Sequence, residues 1–163
     1  QAVVLTSEQE GIGYLAGAWL GGARGALLMQ SSGVGNCINT LALPVMARMP
    51  LLMVVTMRGD WAEFNPWQNP MGQATETALR AMGVMTWRAD ESKDVGPLLH
   101  GAATTAFAAD RMALFVVDSG INSGVYLFHS AGVNAQVSAT ELTLLATLTG
   151  TASTGLADYL FAA

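Results

Sequence analysis

The stretch that decides the fold reads EQEGIGYLAGA over residues 8–18. It begins with a carboxylate just after the short apolar run 2–5 and continues as a helical pattern rich in Gly and Ala. A second apolar run, 26–29, is followed by QSSGVGN at residues 30–36. Strand, carboxylate, small-residue helix, strand and glycine turn are the parts of an open α/β sheet, which binds ligands at the carboxyl ends of its strands. We therefore expect Glu8 to follow a strand and to lie at a ligand-binding edge.

Short apolar runs bounded by turn residues predict five strands. The predicted strands cover residues 3–6, 26–30, 51–56, 113–118 and 125–129. Helical patterns cover residues 8–20, 35–48, 72–82, 94–110, 138–148 and 155–162. Strands that alternate with helices of these lengths predict an α/β fold built on a mainly parallel sheet.

The composition indicates a domain that buries much of its surface against partners. A chain of 163 residues favours one domain. Apolar residues make up 52% of it and charged residues only 12%, against a usual charged share of about 25%. Large obligate interfaces resemble a domain core, so they accommodate such a surface. A membrane span is a poorer explanation, because the longest uncharged stretch, 25–47, is interrupted by polar residues, glycines and a proline.

Charge and cysteine content narrow the class further. The net charge is −5 and Lys93 is the single lysine, which excludes the clustered positive charge of a nucleic-acid-binding surface. The one cysteine, Cys37, excludes an intramolecular disulfide and fits a reducing compartment. The first residues lack the basic and long apolar regions of a signal peptide. We therefore expect a cytoplasmic protein.

Further motifs follow in a consistent order along residues 3–118. They are the run 8–17, MQSSGVGN at 29–36, Asn39, MPLL at 49–52, Arg58-Gly59, Glu63, PMG at 70–72 and Gly83. In this order they resemble the pyrimidine-binding (PYR) domain of thiamine-diphosphate enzymes, of the sulfopyruvate and phosphonopyruvate decarboxylase kind. The resemblance implies a three-layer α/β/α fold in which residues 1–163 form a single PYR-type domain.

The resemblance also implies a catalytic role for one glutamate. In that family a glutamate bonds N1′ of the cofactor's aminopyrimidine and favours the tautomer whose 4′-imino nitrogen can take the C2 proton. Counting back from Gly17 and from Gly33 both lead to Glu8. Glu10 is the alternative, and acidic residues favour a helix N-terminus for dipole reasons alone.

Other residues in the motifs are candidates for binding. Gln30, Gly33 and Asn36 are expected to contact the cofactor, although Gln30 and Asn36 suit a turn equally well. We expect Gly33 in a tight strand-to-helix turn that lets a ligand or backbone approach closely. Arg58 is expected to bind an anionic substrate group or to pair with Glu63.

Two histidines and the cysteine have simpler interpretations. His129 is expected near the substrate if the end of the chain supplies part of the site, but a structural role suits one imidazole without a partner motif. His100 lies in an Ala-rich helical pattern and is expected to pack or face solvent. Cys37 is expected to be a small buried apolar residue.

The resemblance implies a partner, because the motif that grips the diphosphate through magnesium, Gly-Asp-Gly followed by paired Asn, is not found. The nearest sequence is Gly59-Asp60-Trp61. We expect thiamine diphosphate and Mg²⁺ to be held mainly by a beta subunit in a hetero-oligomer, and no metal site on this chain. The implied reaction is decarboxylation of a small anionic 2-oxo acid, sulfopyruvate to sulfoacetaldehyde and CO₂. Phosphonopyruvate decarboxylase, another carboligase half and a non-catalytic assembly module are the alternatives.

The ends of the chain depart from the family pattern. A PYR domain normally begins with a helix and a strand before the strand that leads to the glutamate, whereas here that strand begins near residue 3. Residues 121–163 include strand-like and helical patterns that could be this missing part. We therefore predict that 1–120 keep the family order and that 121–163 hold the displaced first strand and helices of a permuted chain.

Overall fold

The computed structural model describes residues 2–60, 63–109, 112–117, 122–128 and 142–149. Its main sheet has four parallel strands in the order β1-β2-β4-β3. A separate antiparallel pair is formed by the last two strands. The strands are β1 (Ala26–Gln30), β2 (Leu51–Thr56), β3 (Met85–Ala89), β4 (Met112–Val117), β5 (Asn122–Phe128) and β6 (Leu142–Thr149).

Five α-helices connect the strands of the main sheet or precede them. They are α1 (Glu8–Leu20), α2 (Ser31–Cys37), α3 (Ala42–Ala47), α4 (Asn69–Ala81) and α5 (Ser92–Ala109), with a 3₁₀ turn at Pro66–Gln68. The parallel arrangement requires these crossovers, because parallel neighbours cannot be joined by a tight hairpin.

Strand β2 shows why helices cover both faces of the sheet. Leu51, Met53 and Val55 point to one face and pack with Ile12 of α1, Val34 and Cys37 of α2 and Leu79 of α4. Leu52 and Val54 point to the other face and pack with the apolar stripe of α5. Burying one such side chain contributes roughly 1.5–3 kcal/mol. The three-layer α/β/α fold with a parallel sheet is thus confirmed.

The strand register places the carboxyl ends of the strands together. Gln30 lies opposite Thr56, Thr56 opposite Val117, and Val117 opposite Ala89. The segments after these strands therefore meet along one edge of the sheet, where α/β sheets bind ligands.

Several predicted elements are confirmed closely. Strands β1 and β2 and helix α1 have the predicted bounds, and α4, α5 and β4 differ from prediction by one to three residues at their ends. Strand β5 overlaps the predicted strand 125–129 and pairs with β6. Residue 129 and the predicted helix 155–162 lie outside the described residues.

The predicted strand 3–6 is wrong. Residues 2–5 have no regular structure, and Val4 is 74% exposed while Leu5 packs against the core. In this segment, alternate side chains are partly buried, which accounts for the apolar residues at 2–5 without pairing to the sheet. Glu8 therefore begins α1 without a strand before it.

The predicted helix 35–48 is divided into α2 and α3. Helix α2 starts directly at the end of β1, and Pro44 lies in the first turn of α3. Proline has no N–H and is accommodated best in the first turn of a helix, so Pro44 favours a new helix that begins at Ala42.

Two further corrections concern β-strands. Residues 142–149, predicted as part of the helix 138–148, form β6, and the threonines spaced through LTLLATLT favour a strand. Strand β3 was not predicted, although Val84 to Trp87 follow Gly83 with strand-favouring side chains. Its mixed, partly exposed pattern hid it, as expected of a strand at the edge of the sheet.

A close crossing holds the loop after β2 against the start of α4. Gly59 has φ +73°, and a Cβ there would lie 2.1 Å from the Gln68 carbonyl oxygen. From the other side, a Cβ on Gly72 would lie 2.2 Å from the Arg58 carbonyl oxygen. Only residues without a side chain allow the two backbones to approach this closely.

We expect Gly59→Ala to destabilise the fold more than Gly83→Ala. Both glycines have positive φ, but a Cβ at Gly83 would have no atom within 4 Å. Left-handed strain alone should cost Gly83→Ala about 1–2 kcal/mol, whereas Gly59→Ala adds a backbone clash and should cost more than about 3 kcal/mol. Urea denaturation of both variants measures this, and equal losses would show that the crossing can relax.

Candidate functional site

The side chain of Glu8 extends from the start of α1 onto α2. The Asn36 side-chain amide donates a hydrogen bond to Glu8 Oε2 at 3.0 Å. Glu8 Oε1 and Cδ would each lie 2.6 Å from a Cβ on Gly33. The carboxylate therefore rests against the bare backbone of Gly33 with one oxygen held by Asn36.

The spacing of residues on α2 explains this arrangement. Gly33, Asn36 and Cys37 are three and four residues apart, which places them on one helix face. Cys37 is buried beneath that face. Burial, and to a lesser extent the negative charge of Glu8, raise the pKa of the Cys37 thiol from 9.0 to about 12. The thiol is therefore neutral beside the carboxylate and contributes no competing charge.

The other face of α2 is equally bare. Gly35 is two residues from Gly33 and so points to nearly the opposite side of the helix. A Cβ on Gly35 would lie 3.2 Å from Met71 Sδ of α4. The two glycines thus let α1 and α4 approach α2 from both sides. The predicted strand-to-helix turn at Gly33 is wrong, because residues 31–37 form helix α2 itself.

Glu10 is directed away from α2. Its Oε2 accepts the backbone N–H of Thr6, the residue before the N-cap Ser7, at 2.9 Å. This is the reaching-back contact of an N-terminal capping carboxylate. Of the two acidic candidates, Glu8 is the one that the structure brings together with Gly33 and Asn36.

Gln30 and Ser31 lie where β1 passes into α2. Gln30 is the N-cap of α2 and has extended backbone, so it stands at the carboxyl edge of the sheet as predicted. Ser31 Oγ accepts the Arg58 N–H at 2.9 Å and donates to the Arg58 carbonyl at 3.0 Å. This buried hydroxyl ties the end of β1 to the loop after β2. It was not identified from the sequence, where its only signal is a serine directly after a strand.

Arg58 pairs with Glu63, one of the two partners that the sequence left open. The guanidinium donates from Nε and from its terminal nitrogen to the two Glu63 oxygens, both at 2.7 Å. It also lies over the exposed Phe64 ring, 5.5 Å from its centroid. A role for Arg58 in binding substrate remains a prediction.

Glu63 is held by several donors at once. Besides Arg58, the backbone N–H groups of Gly59 and Asn65 donate to it at 3.1 and 2.9 Å. The hydrogen bonds from Arg58 are the main cause that lowers the pKa of Glu63 from 4.5 to about 2, against the opposing effect of burial. Glu63 is thus the fixed anion around which this loop folds.

A second charged cluster lies beside the same loop. Arg88, on β3, donates to Asp90 Oδ1 at 2.7 Å and to Glu76 Oε1 at 3.4 Å, and also hydrogen-bonds Asp60. Arg88 therefore links β3 to Glu76 on α4 and to Asp60 in the loop after β2. Arg88 was not identified from the sequence because β3 itself was not predicted.

The expected role of His129 remains a prediction. His129 lies outside the described residues, and His100 is half-buried in α5, on the face of the sheet away from α2. Within the described ranges, no three His, Cys, Asp or Glu side chains are grouped so that they could hold a metal ion. None of the helices in that part of the chain is long and apolar enough to cross a membrane.

Comparison with known proteins gives a consistent set of relatives. The sulfopyruvate decarboxylase alpha subunit of Methanococcus maripaludis is 44% identical over 85 residues, 52% of this chain and 51% of the relative. That of Methanocaldococcus jannaschii is 37% identical over 100 residues, 61% of this chain and 59% of the relative. The phosphonopyruvate decarboxylase of Streptomyces viridochromogenes is 38% identical over 114 residues, 69% of this chain and 27% of the relative.

This chain is related to the sulfopyruvate decarboxylase alpha subunits. The resemblance drawn from the sequence motifs is thereby confirmed, and the relatives are named as decarboxylases. No protein-family model matches the sequence. The chain spans about half the length of the first alpha subunits it matches.

We expect Glu63 to contribute stability that is lost in acid. Since its folded pKa is lowered to about 2, its contribution should be complete above the unfolded value near 4.5 and should disappear as the pH falls from there towards 2. Glu63→Gln should therefore cost about 1–3 kcal/mol at pH 7. The difference between wild type and variant should shrink across this window in urea titrations.

Glu91→Gln is the matched control. Glu91 forms an exposed pair with Lys93 at 2.6 Å, and such pairs contribute about 0–1 kcal/mol. A Glu63→Gln loss no larger than that of the control, or one independent of pH below 4.5, would contradict the assigned role.

Proposed function

We propose that this chain is the pyrimidine-binding half of a thiamine-diphosphate-dependent 2-oxo acid decarboxylase, with sulfopyruvate as its substrate. The products would be sulfoacetaldehyde and CO₂. The names of the relatives support the reaction class and the substrate. The observation that carries the proposal within this chain is the Glu8 carboxylate, anchored by Asn36 against Gly33.

The residues present fit an aminopyrimidine ring. Glu8 Oε1 receives no hydrogen bond from the described residues, while Oε2 is held by Asn36. A carboxylate with one oxygen anchored and one oxygen available suits a hydrogen bond to a ring nitrogen such as N1′. Gly33 leaves the space beside that oxygen without a side chain. Gln30, at the end of the adjacent strand, is our second candidate for cofactor contact.

When bound, thiamine diphosphate supplies the electron sink that lets the carboxyl group of a 2-oxo acid leave as CO₂. Glu8 would hold the pyrimidine in place and keep a proton at N1′, which is general acid–base work. Ser31 and the Arg58–Glu63 pair would fix the loop beside α2. Arg58 would bind the anionic group of the substrate only through N–H groups that do not donate to Glu63.

The exposure of the site supports a covering partner. Glu8 is only half-buried, and Asn36 is exposed. Electrostatic contacts of this kind strengthen when water is excluded. We assign the covering surface, the diphosphate and Mg²⁺ to a beta subunit, in keeping with the "subunit alpha" names of the relatives.

Phosphonopyruvate is the second candidate substrate. The match to phosphonopyruvate decarboxylase is 38% identical over 69% of this chain, and a match to a sulfopyruvate decarboxylase covers a similar 71%. The two substrates differ in their anionic group, sulfonate against phosphonate. Comparing kcat/KM for the two acids in the assembled enzyme decides between them.

Cofactor binding should require the assembled complex. We expect no calorimetric binding of thiamine diphosphate with Mg²⁺ to this chain alone, and clear binding after co-expression with its genomic neighbour. The physical reason is that most of the affinity for a diphosphate comes from a metal-held site that we assign to the partner. Tight binding by the chain alone would contradict the split site, and no binding by the complex would favour a non-catalytic module.

Glu8→Gln should lower turnover of the complex by about 10²–10⁴-fold, the range expected for loss of an acid–base group. Glu10→Gln is the matched control, because an amide oxygen can still accept the Thr6 N–H. It should keep wild-type turnover. Steady-state kinetics of both variants test the assignment, which fails if Glu8→Gln is fully active or if Glu10→Gln shows the larger loss.

A further inference from the structure

We propose that Asn36 is a positioning residue, which acts on the reaction through Glu8 and does not touch the cofactor. This inference rests on the proposed function and deepens it. It also replaces the direct cofactor contact that the sequence suggested for Asn36 with a role in fixing the carboxylate.

The two oxygens of Glu8 have different surroundings. Asn36 donates to Oε2 at 3.0 Å, and Oε1 rests against the Gly33 backbone. A side-chain amide has no proton to lose near neutral pH, so it presents the same donor at every working pH. Asn36 therefore determines which oxygen is left for a ligand.

Glu8 needs such a restraint. It is the first residue of α1 and only half-buried, and its side chain has three rotatable bonds. A misplacement of about 1 Å at a reacting group can cost about 10²-fold in rate. Gly33 has no side chain to hold the carboxylate in place. Asn36, one turn further along α2, supplies that restraint through its hydrogen bond to Oε2.

The face of α2 also favours a single orientation. Cys37 is buried, and burial raises the pKa of its thiol, so the thiol is neutral and neither attracts nor repels a particular oxygen of Glu8 by charge. Gly33 offers a surface without a side chain. The hydrogen bond from Asn36 is thus the one directional contact that the described residues make to the Glu8 carboxylate.

A double-mutant cycle on the assembled complex tests the proposal. Asn36→Ala should lower kcat by about 10–100-fold, while the calorimetric Kd for thiamine diphosphate stays within about twofold. In a Glu8→Gln background, Asn36→Ala should change neither kcat nor Kd further. A loss of cofactor affinity by the same factor in both backgrounds would show direct contact and overturn the proposal.

The free chain supplies a readout that does not depend on activity. The Asn36 side-chain amide should have a shifted proton resonance in wild type, and Glu8→Gln should move it, while Glu10→Gln should not. A resonance that ignores Glu8→Gln would mean that the two side chains do not interact in solution, and would overturn the proposal.

Gly33→Ala is a second test, because it should lower turnover without lowering the stability of the fold. Its Cβ would lie 2.5 Å from Glu8 Cγ and 2.6 Å from Cδ and Oε1. Because the clash is with a side chain and not with backbone, the carboxylate should move while the fold survives. Alanine favours a helix over glycine by about 0.5–1 kcal/mol, which should leave the melting temperature unchanged or higher. Turnover should nevertheless fall at least tenfold. Wild-type turnover in Gly33→Ala would overturn the role of carboxylate orientation.

Gly101→Ala is the matched control for Gly33→Ala. Gly101 lies in α5 on the other face of the sheet, and a Cβ there would have no atom within 4 Å. Gly101→Ala should gain helix stability and keep full turnover.

Two outcomes separate the proposed function from the role of Asn36. If the complex binds no cofactor, both proposals fail. If the complex binds cofactor and Asn36→Ala keeps wild-type turnover, only the role of Asn36 is overturned.

Discussion

Burial of strand β2 on both faces is the constraint on which the rest of the structure depends. Alternate residues of β2 enter two separate cores, one with α1, α2 and α4 and the other with α5. A strand buried on both sides has to read as a continuous apolar run, and its neighbours have to be joined by crossovers. Those crossovers bring the ends of the strands to a common edge, and the site is assembled there from the start of α1, helix α2 after β1 and the loop after β2.

Helix α2 is the element that turns this edge into a site. It is only seven residues long and begins as soon as β1 ends. Gly33 and Gly35 leave it bare on two sides, so the start of α1 and the side chain of Met71 both reach its backbone. The close approach that the sequence suggested for a glycine turn is therefore achieved by glycines on the two flanks of one short helix.

Elements of the fold could be predicted where the sequence pattern within a short window is enough to define them. Strands β1 and β2 and helix α1 could be predicted to the residue, because apolar runs and small-residue periodicity are visible in a short window. Strand β3 could not, because its mixed, partly exposed pattern gives no continuous apolar run. The hydrogen bonds between Ser31 and Arg58 could not, because the two residues are 27 apart in the sequence. The choice of Glu8 over Glu10 did not require the strand that was wrongly predicted before it, since the spacing of Glu8 to Gly17 and Gly33 does not depend on that strand. Helix 138–148 was misread because leucine and alanine suit both structures, and pairing with β5 decides the outcome.

The chemistry of Cys37 has a practical consequence for studying the molecule. The chain carries a single cysteine, and that thiol is buried, with a pKa of about 12. The thiolate is the form that attacks thiol reagents, so Cys37 should react very slowly at neutral pH. A fluorophore or spin label attached to a new cysteine at Trp67, which is 88% exposed, would report on the segment after β2 with no need to remove the native thiol.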